Sequence, residues 1–391
     1  MVLLSASYGR AQLLYFQKQR RLCNPTRIVC SSDGARRSEK GTRKKVLAVL
    51  PEAGEYARNP GHISCVENEL GLREWLEERN CEFVVTADKD GEGSEMVRNL
   101  EDTDIIISTP FHPAYVTREL IEKAPNLKLS ITAGIGSDHV DLNAASDFGL
   151  TVAEVTGSNT VSTAEQAVLC ILSVVRNYPV AHRQIVAGHW NLAEASSTAY
   201  DLENKCIGVV GAGAIGRLVM QRLKGFDVGG MKYFDYKRLP EDAERDLGVT
   251  FADLDEVIAT ADVVTVHVPL SDKTRGLFDE KRLRSMKKGA FLVNVSRGAI
   301  VDRVAIVKAL DDGHIAGYAG DVWDVQPAPK DHPWRTMKNH GMTAHVAGNT
   351  VDAQARYQQG TKDILDAWLS NRPFQDNFYI VREGELAPQY K

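Results

Sequence analysis

Three glycines, Gly211, Gly213 and Gly216, are spaced as G-x-G-x-x-G, a pattern that can hold the pyrophosphate of a dinucleotide. The first glycine permits a tight turn, the second lets the backbone approach the pyrophosphate, and the third lets a helix pack closely on a strand. Asp235 follows 19 residues after Gly216, at a distance where a carboxylate holds the ribose hydroxyls of adenosine. Because this carboxylate would repel the 2′-phosphate of NADP, the pattern predicts binding of NAD.

The elements around these glycines have the order that a dinucleotide site requires. Residues 206–210 are rich in β-branched side chains and predict a buried strand. Ile215, Leu218 and Leu223 follow at helical spacing, and residues 231–234 predict the next strand. The pyrophosphate would lie on the free N–H groups at the start of the helix.

Strand and helix patterns alternate over the rest of the chain. Strands are predicted at 45–50, 83–85, 104–108, 127–132, 263–268, 291–295 and 316–321, and helices at 69–78 and 116–124. This alternation predicts an α/β protein with parallel sheets. Loops that follow the strands at 263–268, 291–295 and 316–321 are expected to bind ligands, because open α/β sheets bind at the carboxyl ends of their strands.

A largely apolar helix is predicted from the capping residues at 158–163 to about Asn177. Its periodicity fits a helix buried between domains or in a dimer, and it fits an ordinary core helix equally well. The last 45 or so residues are expected to be helical at first, then polar and irregular, and to return to the first domain.

Composition and charge restrict the function classes. The chain is 43% hydrophobic and 25% charged, as in an ordinary soluble protein. Its length of 391 residues predicts two domains. No apolar run approaches the length of a membrane span, so no membrane partner is expected. Six scattered cysteines form no C-x-x-C pair, so we expect reduced thiols and no metal site.

The first 45 residues differ from the rest, with 11 Lys and Arg against 2 Asp and Glu. This basic, acid-poor segment is similar to an organelle transit peptide; a disordered basic arm or a misassigned start is the alternative. We expect a mitochondrial location, with a chloroplast or the cytoplasm as alternatives. The remaining residues are strongly acidic, which argues against nucleic acid as a partner.

Several longer blocks resemble the NAD-dependent formate dehydrogenases, a branch of the D-2-hydroxyacid dehydrogenases. The blocks are residues 110–115, 133–141, Asn159, 321–323 and 326–334, and the chain ending at 385–390 is also similar. The resemblance extends over about residues 46–391, and the block at 326–334 is its most specific part. It implies two Rossmann-like domains with parallel sheets, the catalytic domain being discontinuous in sequence.

The implied domain boundaries are 46–159 with 347–391 for the catalytic domain and 160–346 for the NAD-binding domain. A segment over 1–45 would precede them as a transit peptide or disordered leader. The implied assembly is a homodimer.

A small carboxylate substrate needs a fixed cation, and Arg297 follows a predicted strand with a guanidinium able to make two hydrogen bonds. The resemblance implies that Arg297 is catalytic and binds formate. Asn159 would donate its amide NH₂ to the other formate oxygen. Ile135 and Phe111 would form an apolar wall around the substrate.

Gln326 and His345 complete the implied site and distinguish formate from hydroxyacids. The wider family has a Glu at the position of Gln326, where its charge supports a histidine that accepts the hydroxyl proton of the substrate. Formate has no hydroxyl group and leaves as CO₂, so a neutral Gln326 that orients His345 is sufficient. His345 would donate a hydrogen bond to a formate oxygen.

The resemblance also implies a set of NAD contacts. They are Thr160, Gly211, Gly213, Ala214, Ile215, Gly216, Asp235, Pro269, Leu270, Ser271, Asp272, Lys273, Val295, Asp321, His345, Val346, Ala347 and Gly348. The family often has Arg at Ala214, Thr at Val295, Pro at Ala344 and Ser at Ala347, so we expect weaker NAD binding here.

The function expected from these residues is oxidation of formate to CO₂ with hydride transfer to NAD⁺ and without a metal ion. One alternative is a hydroxyacid dehydrogenase such as a glyoxylate reductase, against which Gln326 argues. Another is a corepressor that binds NADH on the same fold and catalyses nothing. Activity with formate separates these three possibilities.

Overall fold

The structure, a computed structural model, describes residues 43–387; the predictions for residues 1–42 and 388–391 lie outside this range. The described part contains two seven-stranded sheets, each covered by helices on both sides. This arrangement confirms the predicted α/β class with two parallel or mostly parallel sheets. Apolar side chains pack on both faces of each sheet.

The first sheet begins with five parallel strands in the order β5-β4-β3-β1-β2. Its strands are β1 (Lys45–Val49), β2 (Glu82–Thr86), β3 (Ile105–Ser108), β4 (Leu129–Thr132) and β5 (Thr151–Glu154). Its helices are α1 (Arg73–Glu77), α2 (Glu95–Leu100), α3 (Arg118–Lys123) and α4 (Leu142–Asp147). The central strands β3 and β4 are buried along their whole length, as expected for a parallel sheet covered on both faces.

The second sheet is entirely parallel, in the order β12-β11-β10-β9-β6-β7-β8. Its strands are β6 (Cys206–Val210), β7 (Gly230–Phe234), β8 (Val249–Phe251), β9 (Val263–Val266), β10 (Ala290–Asn294), β11 (Ile315–Gly320) and β12 (His340–Met342). The helices of this half are α5 (Thr160–Val175), α6 (Tyr178–Val186), α7 (Leu192–Ser196), α8 (Ala214–Leu223), α9 (Glu241–Leu247), α10 (Leu254–Thr260), α11 (Glu280–Ser285) and α12 (Arg303–Asp311). The order changes direction at β6 and β9, and the glycine-rich turn leaves β6 at this point.

The apolar helix predicted near residues 159–177 is α5. Its buried face includes Ala164, Ile171 and Val174, which pack with Val209 and Val293 of the second sheet. Leu169 on the same helix is exposed. The helix is therefore part of the core of the second sheet, and one side of it faces outward.

The end of the chain returns to the first sheet through α13 (Val351–Leu369), β13 (Tyr379–Arg382) and β14 (Glu385–Leu386). Strand β13 pairs with β5 and with β14, both times antiparallel. The predicted helix at the start of this segment is confirmed, but the prediction of an irregular end is wrong, since two strands extend the sheet. The boundaries 46–159, 160–346 and 347–391 stay predictions.

The single helix predicted over 69–78 is also wrong. A 3₁₀ turn over Glu69–Gly71 precedes α1, and within this turn the left-handed φ of 52° at Leu70 and 61° at Gly71 interrupts the predicted helix. A Cβ atom on Gly71 would lie 1.9 Å from Nε2 of Gln358, a residue of α13. The break therefore accommodates a helix from the far end of the chain, which no local pattern indicates.

Within residues 43–387, none of the helices has the combination of length and apolar character needed to cross a membrane.

Candidate active site

The glycine-rich turn connects β6 to α8 as predicted, and two of its glycines are required sterically. Gly211 has a φ of +102°, and a Cβ atom there would lie 2.8 Å from the backbone carbon of His267. A Cβ atom on Gly216 would lie 2.1 Å from the carbonyl oxygen of Gly211. A Cβ atom on Gly213 would meet no described atom within 4 Å, so this glycine faces open space at the start of α8.

Asp235 follows β7 directly and lies beside the turn. Its Oδ2 accepts a hydrogen bond of 2.7 Å from the backbone N–H of Ala212. The next residue, Tyr236, is largely exposed, and Nζ of Lys273 lies 6.0 Å from the centre of its ring. The carboxylate is therefore fixed at the edge of the turn, where the fingerprint places a ribose.

A cavity of about 330 Å³ extends from this turn to the residues predicted to bind formate. The predicted residues that line it are Phe111, Ile135, Asn159, Thr160, Gly213, Ala214, Ile215, Pro269, Leu270, Val295, Arg297, Asp321, His345, Ala347 and Gly348. The predicted residues outside its lining are Gly211, Gly216, Asp235, Ser271, Asp272, Lys273, Gln326 and Val346. The structure thus brings the glycine-rich turn and most of the predicted substrate residues to one cavity.

Arg297 follows β10 and points toward the loop after β4. Its Nε donates to Oδ1 of Asp138 at 2.8 Å, and its Nη1 donates to the carbonyl of Ser296 at 2.9 Å. Its Nη2 lies 2.8 Å from the same Asp138 oxygen and 3.5 Å from the carbonyl of Ile135. The guanidinium therefore lies within the cavity wall and is oriented by the loop after β4, which carries Ile135 and Asp138.

Asn159 precedes α5 and is buried, with Oδ1 unpaired in the described part of the chain. Its amide nitrogen packs against Gly348, where a Cβ atom would lie 2.6 Å from Nδ2. Phe111 contacts the ring of His345 edge-on, with ring centres 5.2 Å apart. Polar and apolar side chains thus line the same cavity.

His345 adopts a left-handed backbone conformation with a φ of 58°. Its Nδ1 has no hydrogen-bond partner among residues 43–387. Burial, together with the positive charge of Arg297, lowers the pKa of His345 to about 3, while Asp138 opposes the shift. The imidazole is therefore neutral at physiological pH.

Asp321 holds the loop that carries His345. Its Oδ1 accepts from the N–H of Val346 at 2.8 Å and from the hydroxyl of Thr343 at 2.5 Å. Its Oδ2 accepts from the N–H of Ala347 at 2.6 Å. Asp321 follows β11, so one carboxylate ties the end of a central strand to the loop beside the cavity.

The sequence assigned no role to several residues of this cavity, among them Asp138, Glu154 and His267. Asp138 stands in a recognisable block, but its pairing with Arg297 spans 159 residues. Glu154 and His267 are single residues at strand ends, and nothing in their spacing distinguishes them. Burial lowers the pKa of His267 to about 3, so this imidazole is neutral as well.

Comparison with known proteins identifies the group to which this site belongs. Residues 168–347 match the family described as D-isomer specific 2-hydroxyacid dehydrogenase, NAD binding domain. The chain is 53% identical over 350 residues to the mitochondrial formate dehydrogenase of Solanum tuberosum, an alignment covering 89% of this chain and 92% of the relative. The chain belongs to the NAD-dependent formate dehydrogenases of the D-2-hydroxyacid dehydrogenase superfamily.

Solved structures of formate dehydrogenases have the same fold. The Granulicella enzyme matches with a TM-score of 0.84 at 46% identity, covering 88% of this chain and 99% of that one. The Staphylococcus aureus enzyme in complex with NAD matches with a TM-score of 0.81 at 48% identity, covering 86% and 99% of the two chains.

In this formate dehydrogenase, the prediction that Gln326 orients His345 stays a prediction. Both residues line a second cavity of about 210 Å³, and within residues 43–387 no hydrogen bond joins their side chains. Pro327 and Ala328 of the same block also line this second cavity. Farther along the block, Nε2 of His332 lies 2.7 Å from Oδ1 of Asp324, and its ring contacts Trp323.

Proposed function

We propose that the protein oxidises formate to CO₂ and that NAD⁺ is the hydride acceptor. The observation that carries the proposal is one cavity lined by the open glycine-rich turn, the guanidinium of Arg297 and a neutral His345. When bound, the nicotinamide accepts the hydride and supplies the redox chemistry of the reaction. The protein then has to bind formate, orient its C–H bond and exclude water.

The residues of the turn fit NAD. Gly213 leaves open space for a pyrophosphate at the N-terminus of α8, whose first N–H groups lack side-chain caps. The carboxylate of Asp235 is held beside the turn in a position suited to ribose hydroxyls. Thr160, Pro269, Leu270, Val295 and Gly348 would form the walls of the cofactor site, since they line the same cavity.

Two polar side chains are suited to bind formate. Arg297 would bind its carboxylate by charge-assisted hydrogen bonds, which are roughly twice as strong as neutral ones. Asn159 would donate from its amide nitrogen to the second oxygen. Ile135 and Phe111 would shield the C–H bond from water, because both are apolar and line the cavity.

The reaction releases no proton from oxygen, so it needs no general base. This matches a neutral His345 that donates a hydrogen bond to formate and a Gln326 that carries no charge. We propose that Gln326 positions His345, because both residues line the second cavity. A hydroxyacid dehydrogenase needs a histidine that accepts a proton, and the low pKa of His345 argues against that alternative.

The deciding experiment measures NADH formation from formate and NADH consumption with glyoxylate and hydroxypyruvate. We expect turnover of formate and little activity with the two keto acids. Arg297→Ala should lower kcat/KM for formate by about 30- to several-thousand-fold, because the carboxylate loses its charge partner. Arg284→Ala, which removes an arginine paired with Asp312 at the surface, is the control and should leave activity unchanged.

Two other results would reject the proposal. Faster turnover of glyoxylate than of formate would assign the protein to the hydroxyacid dehydrogenases. NADH binding without turnover of any of the three substrates would favour the corepressor.

A homodimer is the assembly we propose, on the basis of an exposed apolar surface on α6 and α7. None of the residues in these two helices is buried. Val186 is 75% exposed and Trp190 is 80% exposed, and Tyr178, Ile185 and Leu192 are exposed beside them. Helices that bury nothing need an apolar partner, and a second copy of the chain presents the same surface about a two-fold axis.

Val186→Asp tests this interface. In light scattering of the purified protein, we expect the wild type at twice the mass of the chain and the variant at the mass of one chain. Val304→Asp, at an equally exposed valine on α12, is the matched control and should remain dimeric. A wild-type protein with the mass of a single chain would contradict the proposal.

We propose that residues 1–45 direct the protein to mitochondria. The basic, acid-poor composition supports this, as do the names of plant relatives, such as the mitochondrial enzyme of Solanum tuberosum. Fused to a fluorescent protein, these residues should direct it to mitochondria. A fusion in chloroplasts or in the cytosol would reject this location.

A further inference from the structure

Asp138 lines the same cavity as Arg297 and His345, and the proposed reaction gives it no role. Its Oδ1 is 2.8 Å from both Nε and Nη2 of Arg297, so one carboxylate oxygen contacts two nitrogens of the guanidinium. These are the kinds of N–H group that a substrate carboxylate needs for a two-pronged hydrogen bond. Asp138 and formate are therefore chemically equivalent ligands of the same cation.

The loop that carries Asp138 is held in place by buried polar contacts. Oε2 of Glu154 accepts from the N–H of Gly136 at 2.8 Å and from the hydroxyl of Ser137 at 3.2 Å. On the other side of Asp138, Nε2 of His139 lies 2.6 Å from Oγ of Ser108. The carboxylate thus belongs to a rigid frame and is not a mobile surface group.

The charge of Asp138 persists at neutral pH. Burial by itself would raise the pKa of Asp138, but the Arg297 guanidinium more than offsets this and holds the pKa below its usual range. His139 beside it is neutral, because burial lowers its pKa to about 4. The Asp138–Arg297 pair is therefore close to neutral overall, and a formate ion adds a negative charge next to a carboxylate.

We propose that Asp138 is a positioning residue that orients the Arg297 guanidinium and competes with formate for it, so that the site binds monovalent anions weakly but in a fixed geometry. This inference rests on the proposed role of Arg297 in formate binding. It assigns two separable effects to one side chain. The hydrogen bond sets the orientation of the guanidinium, and the negative charge limits anion affinity.

Two substitutions separate these effects. Asp138→Asn keeps an oxygen that accepts from Nε but removes the charge, and Asp138→Ala removes both. We expect Asp138→Asn to lower the KM for formate and the inhibition constant of nitrate by about threefold or more each, with kcat close to that of the wild type. In Asp138→Ala, kcat should fall about tenfold, because the guanidinium loses its orientation.

Asp147→Asn is the matched control, since Asp147 pairs with Arg118 at the surface and should leave all these constants unchanged. Thermal unfolding of each variant shows whether it folds, and the KM for NAD should stay constant throughout. An unchanged or increased KM for formate and inhibition constant of nitrate in Asp138→Asn would overturn the proposal. So would an Asp138→Ala variant that folds and has the kcat of the wild type.

The two proposals fail in different ways. If the wild type does not oxidise formate, the proposed function is wrong. If it does, and Asp138→Asn leaves both constants unchanged, only the role of Asp138 is wrong.

Discussion

A Cβ atom on Gly136 would lie 1.6 Å from Nη2 of Arg297. The backbone of the loop after β4 and the guanidinium are therefore in direct contact, and this contact exists because residue 136 has no side chain. Gly136 also has a φ of +105°, which L-residues with side chains rarely adopt. The loop thus determines the position of the arginine by shape as well as by charge.

Gly136→Ala should displace the guanidinium and lower kcat/KM for formate by about 100-fold, the order of loss expected for a misplacement of about 1 Å. Steady-state kinetics with formate and NAD measure the effect. Gly91→Ala is the matched control, since Gly91 has a φ of +88° and no described atom within 4 Å of a Cβ position. Equal activity in the two variants would show that the contact between Gly136 and Arg297 does not position the guanidinium for catalysis.

Gln326→Glu tests the proposed link between Gln326 and His345. A carboxylate in the cavity that they share should raise the pKa of His345 from about 3. In the wild type we expect kcat/KM for formate to change little between about pH 5 and 8, because His345 stays neutral there. In the variant the protonated fraction of His345 changes with pH, so the profile should shift and formate activity near neutral pH should fall.

The control for this experiment is Gln375→Glu, at an exposed glutamine outside both cavities. Its pH profile should match that of the wild type. A flat profile in Gln326→Glu as well would show that the two side chains are not coupled.

Asp235→Asn should weaken the preference for NAD over NADP. The amide oxygen can still accept from Ala212, so the turn is retained, while the charge that repels a 2′-phosphate is lost. We expect the ratio of kcat/KM for NAD to that for NADP to fall about tenfold or more. Asp255→Asn, at an exposed residue of α10, is the control. An unchanged ratio in Asp235→Asn would show that residues other than Asp235 discriminate between NAD and NADP.

Stability should fall in acid because of His139. Its pKa is about 4 in the folded protein and about 6.5 in an unfolded chain, so the unfolded state binds more protons between these values. The contribution of a neutral His139 to the free energy of unfolding is complete above pH 6.5 and is lost as the pH falls toward 4. Between pH 7.5 and pH 5 this one residue should reduce the free energy of unfolding by about 2 kcal/mol.

Urea unfolding of the wild type and His139→Asn at both pH values measures this contribution. The asparagine variant should lose less stability on acidification, whereas exposed His189→Asn should respond like the wild type. An identical loss in wild type and His139→Asn would contradict the assignment.

The sequence by itself determined the features that depend on neighbouring residues. Gly211, Gly213 and Gly216 indicated a turn from a strand to a helix, because the steric demands of such a turn act within a few residues. Asp235 and Arg297 were correctly expected to follow strands, since a short apolar run that ends in a polar residue is also a local signal. The resemblance of longer blocks to formate dehydrogenases was equally visible without coordinates.

Tertiary structure alone decided the contacts between distant parts of the chain. The pairing of Asp138 with Arg297 spans 159 residues, and the contact of Gln358 with Gly71 that accompanies the break before α1 spans 287. The sequence predicted that Gln326 orients His345, and only the tertiary structure shows that both residues line one cavity with no hydrogen bond between them. Residue type and spacing specify what a side chain can do, whereas the packing of helices and strands onto shared cores decides which side chain it meets.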